Sequence, residues 1–199
     1  FRKNMIRVCM LGGIGSGKSF ISKLFNYPVF NADKEVNFIY KKSRICFKKL
    51  NKKIPKYIKS FPILKSELIS AISENDRNLK VISSIVHPMV RKKLKNFIKI
   101  NKNRKMIILD VPLLLENRLN LKSDVLIFVN SKKKKIYNRL KRRKNFNQRL
   151  LNSLRDNQAI LSKKRKIANY IVENNFSPNI MKKKINILKK KIIDERSST

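Results

Sequence analysis

The sequence is short of several residue types, and each shortage excludes a class of protein. Its 199 residues contain only 4 Gly and 6 Pro, which excludes collagen-like chains and Gly/Pro-rich disordered chains. The cysteines, Cys9 and Cys46, are too few for a disulfide framework, and no Cys/His spacing is typical of a zinc site. We therefore expect a cytoplasmic protein with two reduced thiols.

Long apolar runs are also missing. The best candidate, from Met106 to Leu115, is interrupted by Asp110 and Pro112 and falls short of the ~18 residues that a membrane-spanning helix needs. The sequence thus predicts no membrane-spanning segment. A hydrophobic content of 42% predicts a folded globule rather than an extended polycation, and the length suits one domain with inserted lobes.

Acidic side chains are scarce, with 12 Asp+Glu against 50 Lys+Arg, a formal net charge of +38. Such an excess suggests a nucleic-acid or anionic-membrane partner, because Lys and Arg neutralise phosphates. A compositional bias towards Lys, Ile and Asn, as AT-rich codons produce, explains the same charge without a partner. No aromatic-interleaved recognition motif accompanies the basic runs, which favours the compositional explanation. Function must therefore be read from motifs.

Five short apolar segments predict strands: Ile6–Leu11, Pro28–Asn31, Met106–Leu109, Val125–Val129 and Tyr170–Val172. Between the second and third of these, apolar residues recur at three- and four-residue intervals and predict a helical insertion over 34 to about 104. Strands that alternate with helices predict an α/β fold, with a parallel five-stranded sheet flanked by helices.

The pattern Gly12-x-x-x-x-Gly17-Lys18-Ser19 is a complete Walker A motif, placed after a predicted strand and at the start of a helix. Its glycines let backbone N–H groups turn inward around a phosphate, and the helix N-terminus adds a partial positive charge. Lys18 suits the β- and γ-phosphate oxygens, while the Ser19 hydroxyl suits Mg²⁺. The motif therefore predicts a phosphate-binding loop of the P-loop NTPase type.

Two carboxylates follow predicted strands. Asp110 ends an apolar run in the form of a Walker B strand and would hold magnesium through water, although any strand can end in Asp. Asp33 follows the second strand and suits the orientation or deprotonation of an attacking hydroxyl. The alternative for Asp33 is an N-cap of a helix that begins near Lys34.

Basic residues after the fourth strand form a candidate phosphate clamp. Arg139 and Arg143 are four residues apart, share a helix face and would reach triphosphate oxygens when a lid closes; with Arg142, they are otherwise a solvated basic face. His87, the only histidine, precedes Pro88, which suits the first turn of a new helix. His87 is either a packed or capping residue or a substrate contact.

These and further motifs form an ordered set. Leu11–Ser19 is followed by Asn31-Ala32-Asp33, His87-Pro88, Val111–Glu116, Arg139, Arg143, Gln158 and the segment 168–174. In order and approximate spacing the set resembles the dephospho-CoA kinase family over about residues 6 to 175. Walker A alone indicates only a P-loop NTPase, whereas its combination with His-Pro and Pro-Leu-Leu-x-Glu is far more specific.

The resemblance implies transfer of the ATP γ-phosphate to the ribose 3′-hydroxyl of dephospho-CoA, with Mg²⁺, giving CoA and ADP. It implies a nucleotide-binding core of 1–33, 105–130 and 168–199, a helical substrate lobe of 34–104 and a lid of 131–167. The implied catalytic residues are Asp33, Lys18, Arg139 and Arg143, and the implied metal ligands are Ser19 and Asp110. The implied ATP-binding residues are Gly12, Gly13, Ile14, Gly15, Ser16, Gly17, Lys18, Ser19 and Asn174. The implied acceptor-binding residues are Lys65, His87, Pro88, Arg91, Pro112, Leu113 and Glu116.

Five positions depart from the usual pattern of that family. Asn31 replaces a frequent Asp, which leaves Asp33 as the sole carboxylate there, and Lys65 replaces an Arg whose bidentate fork an ammonium cannot reproduce. Phe20 stands where Thr is common, Asn169 replaces an Asp, and Phe176 replaces a usual Gly. These changes make acceptor affinity and the adenine side the features most open to alteration.

Two alternatives to this kinase function remain from the sequence. One is another P-loop kinase with a small, nucleotide-type acceptor, and the other is a basic P-loop protein that binds nucleic acid. The expected partner is the small molecule dephospho-CoA, with no specific nucleic acid and no membrane, and the expected state is a cytoplasmic monomer.

Overall fold

The structure is a computed structural model of the chain and describes residues 5–111, 120–141 and 161–197. The described strands are β1 (Ile6–Leu11), β2 (Val29–Asn31), β3 (Met106–Asp110), β4 (Val125–Asn130) and β5 (Tyr170–Glu173). The described helices are α1 (Lys18–Leu24), α2 (Ala32–Lys42), α3 (Arg44–Lys53), α4 (Lys65–Glu74), α5 (Asp76–Ile100), α6 (Lys133–Lys141), α7 (Leu161–Lys166) and α8 (Pro178–Glu195).

The five strands form one parallel sheet in the order β2-β3-β1-β4-β5, which confirms the predicted fold class. β3 is buried at every residue, as expected for a central parallel strand with both faces covered. Because all strands run in one direction, their carboxyl ends share one edge of the sheet. Leu11 of β1, Asn31 of β2 and Asp110 of β3 therefore end at the edge where the phosphate loop begins.

An apolar cluster holds α1 and α8 against the sheet. Alternate residues of the strands, such as Val8 and Met10 of β1, point to the same face. There they pack with Phe25, directly after α1, and with Met181 of α8, all buried. Each such side chain contributes roughly 1.5–3 kcal/mol on burial, which holds the helix that carries Lys18 and Ser19 in place.

The predicted helical insertion contains four helices, α2 to α5, and one expectation about it is wrong. Pro88 does not begin a helix but lies inside the 25-residue α5. Proline removes one backbone hydrogen bond, at a cost of about 3 kcal/mol. Buried Ile82, Val86, Val90 and Leu94 recur every four residues on both sides of it. Packing of this continuous apolar stripe outweighs the local preference of proline for a helix start.

Within the described residues the chain divides into two compact units. One contains the sheet and comprises the residues up to Asn31 and those from Ile98 onward; the other is Ala32–Phe97. The boundaries of the predicted core, lobe and lid stay predictions. None of the described helices combines the length and apolarity needed to cross a membrane.

Both cysteines are free thiols, as the sequence predicts, and both side chains are buried in the structure. Burial raises the pKa of Cys46 to about 11. Burial also raises the pKa of Cys9, and the adjacent Asp124 carboxylate adds to this effect. Since thiolates are the reactive form, both side chains are structural rather than catalytic.

Candidate active site

The phosphate loop joins β1 to α1 and contains all four glycines of the chain. Gly12 and Gly17 have positive φ angles of 137° and 93°, a region that L side chains rarely adopt. Space is closed as well: a Cβ on Gly12 would lie 2.5 Å from the Val129 carbonyl oxygen, and one on Gly17 would lie 2.2 Å from Asn174 Nδ2. The glycines of the motif are therefore a steric requirement of this turn.

Two side chains hold the loop from outside. Ser131 Oγ donates to the Ser16 carbonyl oxygen at 2.8 Å, and Asn174 Nδ2 donates to the same oxygen at 2.9 Å. Ser131 follows β4 and Asn174 follows β5, so two strand ends fix the loop. Asn174 is 3% exposed, and its Oδ1 accepts from the Phe176 N–H at 2.9 Å. The predicted ATP residue Asn174 thus contacts the backbone of the loop and keeps it pre-organised.

Lys18, the first residue of α1, folds back over the loop. Its Nζ donates to the carbonyl oxygens of Gly12 and Gly13, each at 2.9 Å, and the residue is 9% exposed. Carbonyl dipoles are weaker partners for an ammonium than anionic phosphate oxygens. The ammonium is therefore held at the loop, in a position to exchange carbonyl partners for phosphate oxygens.

The two predicted metal ligands are connected through Asn31. Asn31 Nδ2 donates to Asp110 Oδ2 at 2.6 Å and lies 3.2 Å from Ser19 Oγ, to which it also donates. Asn31 and Asp110 are cross-strand partners at the ends of β2 and β3, and Asp110 is 3% exposed. A hydroxyl and a carboxylate oxygen are the hard ligands that Mg²⁺ prefers. The Ser19 and Asp110 oxygens therefore fit magnesium, and the link between them through Asn31 is the feature that the sequence did not predict.

Protein groups alone do not form a complete cation cage in the part of the chain that the structure describes. No group of three or more His, Cys, Asp or Glu side chains converges there. Mg²⁺ commonly takes one or two protein oxygens and completes its shell with water and substrate phosphates. The pair of Ser19 and Asp110 is consistent with that mode of binding.

Arg139 lies beside the phosphate loop on α6. Two neighbours on the same helix pack on the loop: a Cβ on Gly15 would lie 2.9 Å from Ile136 Cγ2 and 3.1 Å from Leu140 Cγ. The Arg139 guanidinium carbon lies 4.3 Å from the centre of the Phe176 ring. The structure thus brings Arg139 together with the predicted ATP-binding loop.

Asp33, Lys65, His87, Pro88 and Arg91 all belong to the helical unit. Asp33 is exposed and lies in the first turn of α2, which begins at Ala32, so it is not the N-cap of that helix. A carboxylate in a first helical turn is stabilised by the helix dipole. Lys65 begins α4 and is exposed.

His87 and Arg91 lie one turn apart on α5. Burial lowers the pKa of His87 below its usual value, and the positive charge of Arg91 lowers it further. The half-buried imidazole is therefore neutral at pH 7 and offers one hydrogen-bond donor and one acceptor. A neutral ring suits a hydrogen bond with an acceptor substrate better than an ion pair.

A groove of about 970 Å³ lies on another part of the helical unit. Apolar side chains line it, including Phe38, Phe61 and Met89, and Lys41 and Arg44 lie among its basic residues. Two of these aromatic rings carry a cation, since Lys93 lies over Phe38 at 4.3 Å and Arg44 over Phe61 at 4.9 Å. Of the predicted acceptor-binding residues that the structure describes, Lys65, His87, Pro88 and Arg91, none lines this groove.

Four predicted site residues lie outside the described residues: Arg143, Pro112, Leu113 and Glu116. Gln158 and most of the Val111–Glu116 motif also lie outside them.

Comparison with known proteins identifies the family of this chain. A sequence model of the dephospho-CoA kinase family matches residues 6–179. The dephospho-CoA kinase of Wolbachia pipientis wMel is 33% identical over 175 residues, which cover 85% of this chain and 89% of the relative. These matches do not favour the nucleic-acid-binding alternative or a kinase with another small acceptor.

Two solved structures have the same fold. A dephospho-CoA kinase from Campylobacter jejuni superposes with a TM-score of 0.64 at 19% identity, over 95% of this chain and 98% of that one. The structure of TT1252 from Thermus thermophilus superposes with a TM-score of 0.74 at 22% identity, over 97% and 98% of the two chains. The family model covers most of the sequence, including the phosphate loop, and the Wolbachia relative is 33% identical over 85% of the chain. The chain therefore belongs to the dephospho-CoA kinase family.

Proposed function

We propose that this chain transfers the γ-phosphoryl group of ATP to the ribose 3′-hydroxyl of dephospho-CoA, giving CoA and ADP, the last step of CoA synthesis. The observation that supports the proposal is the phosphate loop, which Asn174 holds through the Ser16 carbonyl oxygen. At the end of this loop, Asn31 donates hydrogen bonds to Ser19 and Asp110. The family match spans residues 6–179 and includes all of these residues. The family membership indicates the reaction, and the phosphate loop is the part of the site that binds ATP.

Residues Gly12 to Ser19 bind the ATP phosphates through backbone N–H groups and the start of α1. Lys18 exchanges the carbonyl oxygens of Gly12 and Gly13 for β- and γ-phosphate oxygens. Asn174 serves ATP indirectly, because both ends of its amide hold the loop and the following turn.

Magnesium is the expected metal, held by Ser19 Oγ and by Asp110, directly or through water. When bound, it neutralises charge on the β- and γ-phosphates. Asn31 keeps the two protein ligands together by donating to both. Because residue 31 is an amide, Asp110 is the only acidic side chain of the pair Asn31 and Asp110. A carboxylate at residue 31 would add a second negative charge beside Asp110.

The acceptor hydroxyl needs a group that orients it and takes its proton, and we assign this role to Asp33. The 3′-oxygen forms a bond to the γ-phosphorus while the bond from that phosphorus to the β–γ bridging oxygen breaks. The electron pair leaves with ADP, and the hydroxyl proton passes to the Asp33 carboxylate. Asp33 is exposed and therefore accessible to a substrate group.

The transferring phosphoryl group carries negative charge that arginine stabilises. We assign Arg139 and Arg143 to this task, as guanidinium groups that contact the triphosphate. For Arg139, the supporting observation is the packing of α6 on the phosphate loop through Ile136 and Leu140.

Binding of dephospho-CoA is assigned to Lys65, His87, Pro88, Arg91, Pro112, Leu113 and Glu116. His87 offers a neutral imidazole and Arg91 a permanent charge, which suit the hydroxyl and phosphate groups of the acceptor. Lys65 provides a point charge rather than a bidentate fork, so we expect weaker orientation of the bound phosphate there. A cytoplasmic location and a monomeric state stay predictions.

A coupled assay of ADP release with ATP, Mg²⁺ and dephospho-CoA tests the function. ADP release that depends on dephospho-CoA supports it, and turnover that is equally fast with other small hydroxyl acceptors, or absent with all of them, refutes it. For the base, Asp33→Asn is expected to keep ATP binding and lose at least about 10²-fold in kcat.

Glu35→Gln is the matched control, since Glu35 is a carboxylate in the same first turn of α2 and pairs with Lys93 at 2.8 Å. The control removes an ion pair worth at most about 1 kcal/mol and should leave kcat close to wild type. Equal kcat values for Asp33→Asn and Glu35→Gln would exclude Asp33 as the base.

A further inference from the structure

Phe176 has a backbone conformation that is unfavourable for phenylalanine. Its φ is +64°, in the left-handed region that Gly and Asn tolerate and that a bulky side chain rarely adopts. The phenyl ring therefore belongs to a residue whose backbone is strained. Strain of this kind persists only where the surroundings offset it.

The ring lies between the phosphate loop and α6. On one side, a Cβ built on Gly17 would lie 2.8 Å from Phe176 Cε1. Over its face, the Arg139 guanidinium carbon lies 4.3 Å from the ring centre. The backbone is held as well, because the Phe176 N–H donates to Asn174 Oδ1 at 2.9 Å, and Asn174 in turn braces the loop.

A ring holds a cation differently from a carboxylate. Cation–π attraction fixes the planar guanidinium over the ring face but leaves its positive charge and its N–H donors unneutralised. Within 5–111, 120–141 and 161–197, no ion pair links Arg139 to an acidic side chain. The charge therefore stays available to an anionic ligand while the side chain loses much of its rotational freedom.

We infer that Phe176 is a positioning residue, whose ring holds Arg139 beside the phosphate loop so that the guanidinium meets the ATP phosphates without first being ordered. The inference rests on the proposed contact of Arg139 with ATP. It adds a residue that acts only through Arg139 and touches neither substrate.

Phe176→Leu tests the inference, because leucine keeps the apolar bulk and the strained φ but removes the ring face. We expect kcat/KM for ATP to fall about 2- to 30-fold, the range of one cation–π interaction. The KM for dephospho-CoA should not change. Phe176→Tyr keeps the ring face and should restore most of the loss. Phe176→Gly suits the positive φ and is the second variant if leucine prevents folding; it should show the same loss.

A double-mutant cycle with Arg139→Ala separates the two claims. Arg139→Ala alone should lower kcat/KM for ATP by about 10²-fold or more, and Phe176→Leu should have no further effect in that background. Equal factors for Phe176→Leu in both backgrounds would overturn the inference alone, since the ring would then act independently, for example by stacking on the base. Wild-type kcat/KM for Phe176→Leu would overturn it too. Wild-type kcat/KM for Arg139→Ala would refute the proposed role of Arg139 itself, and the inference with it.

Discussion

Replacing Gly17 with alanine puts a methyl group where the phosphate loop has no space for one. Gly17 is the residue before α1 and has a φ of 93°, so an L side chain is strained there whatever surrounds it. Its Cβ would lie 2.2 Å from Asn174 Nδ2, the atom that donates to the Ser16 carbonyl oxygen. The methyl group must displace that amide.

The magnitude follows from two contributions. Left-handed backbone costs an L residue about 1–2 kcal/mol, and loss of the buried Asn174–Ser16 hydrogen bond costs about 1 kcal/mol. Together they lower the free energy of unfolding by about 2–3 kcal/mol. For a chain of this size each kcal/mol corresponds to about 2–4 °C in Tm, so Gly17→Ala should melt about 4–12 °C below wild type.

Gly13→Ala is the matched control in the same loop. Its φ is not in the left-handed region, and its Cβ would meet only the end of the exposed Leu161 side chain, at 3.2 Å. We expect a loss below about 1 kcal/mol, measured by thermal melting and urea unfolding in the absence of ATP. Equal Tm values for the two variants, or a Gly17→Ala Tm within about 1 °C of wild type, would show that the loop has space for the methyl group.

Three further predictions concern charge and protonation. Asn31→Asp places a second carboxylate where the amide now donates to Asp110 at 2.6 Å. The Tm of this variant should be below that of wild type at pH 8 without divalent ions, and Mg²⁺ should raise it by more than it raises the wild-type Tm. A Tm equal to that of wild type under both conditions would contradict this. Burial and Arg91 lower the pKa of His87, so the unfolded chain binds more protons and stability falls as the pH drops below about 6.5. His87→Gln removes that contribution, and urea unfolding should give a difference from wild type that shrinks between pH 8 and pH 5.5; a constant difference would refute it. Because the net charge is +38, the Tm of the wild type should rise between about 0.05 and 0.5 M salt, and an unmoved Tm would show that self-repulsion is unimportant.

The sheet could be predicted because its strands are short apolar runs bounded by turn residues. The predicted segments at Met106 and Val125 each differ from β3 and β4 by one residue at the end. The prediction for α5 was wrong, because the sequence shows the local preference of Pro88 for the first turn of a helix. The opposing force, a buried stripe from Ile82 to Leu94, acts only once the helix has something to pack against.

The role of Asn31 could not be predicted, for a different reason. From the sequence, Asn31 is interpreted only as the loss of a carboxylate near Asp33. In the sheet, β2 is hydrogen-bonded to β3, so Asn31 lies opposite Asp110 and donates to it. Strand order determines which residues become neighbours, and the apolar runs that reveal strands carry no information about their order. The Arg139–Phe176 contact is hidden in the same way, since it joins α6 to the turn after β5.

The distribution of positive φ angles gives the loop and Phe176 their significance. All four glycines of this chain are in the phosphate loop, where three of them have positive φ. Elsewhere in the described residues, two non-glycine residues adopt such angles, Asn26 at 56° and Phe176 at 64°. Asparagine bears this conformation at little cost, whereas phenylalanine does not. A residue that keeps an unfavourable backbone must gain from its contacts, and those of Phe176 include Asn174, which braces the phosphate loop, and Arg139. Backbone strain and aromatic contact thus point, independently of any sequence motif, to the same end of the nucleotide site.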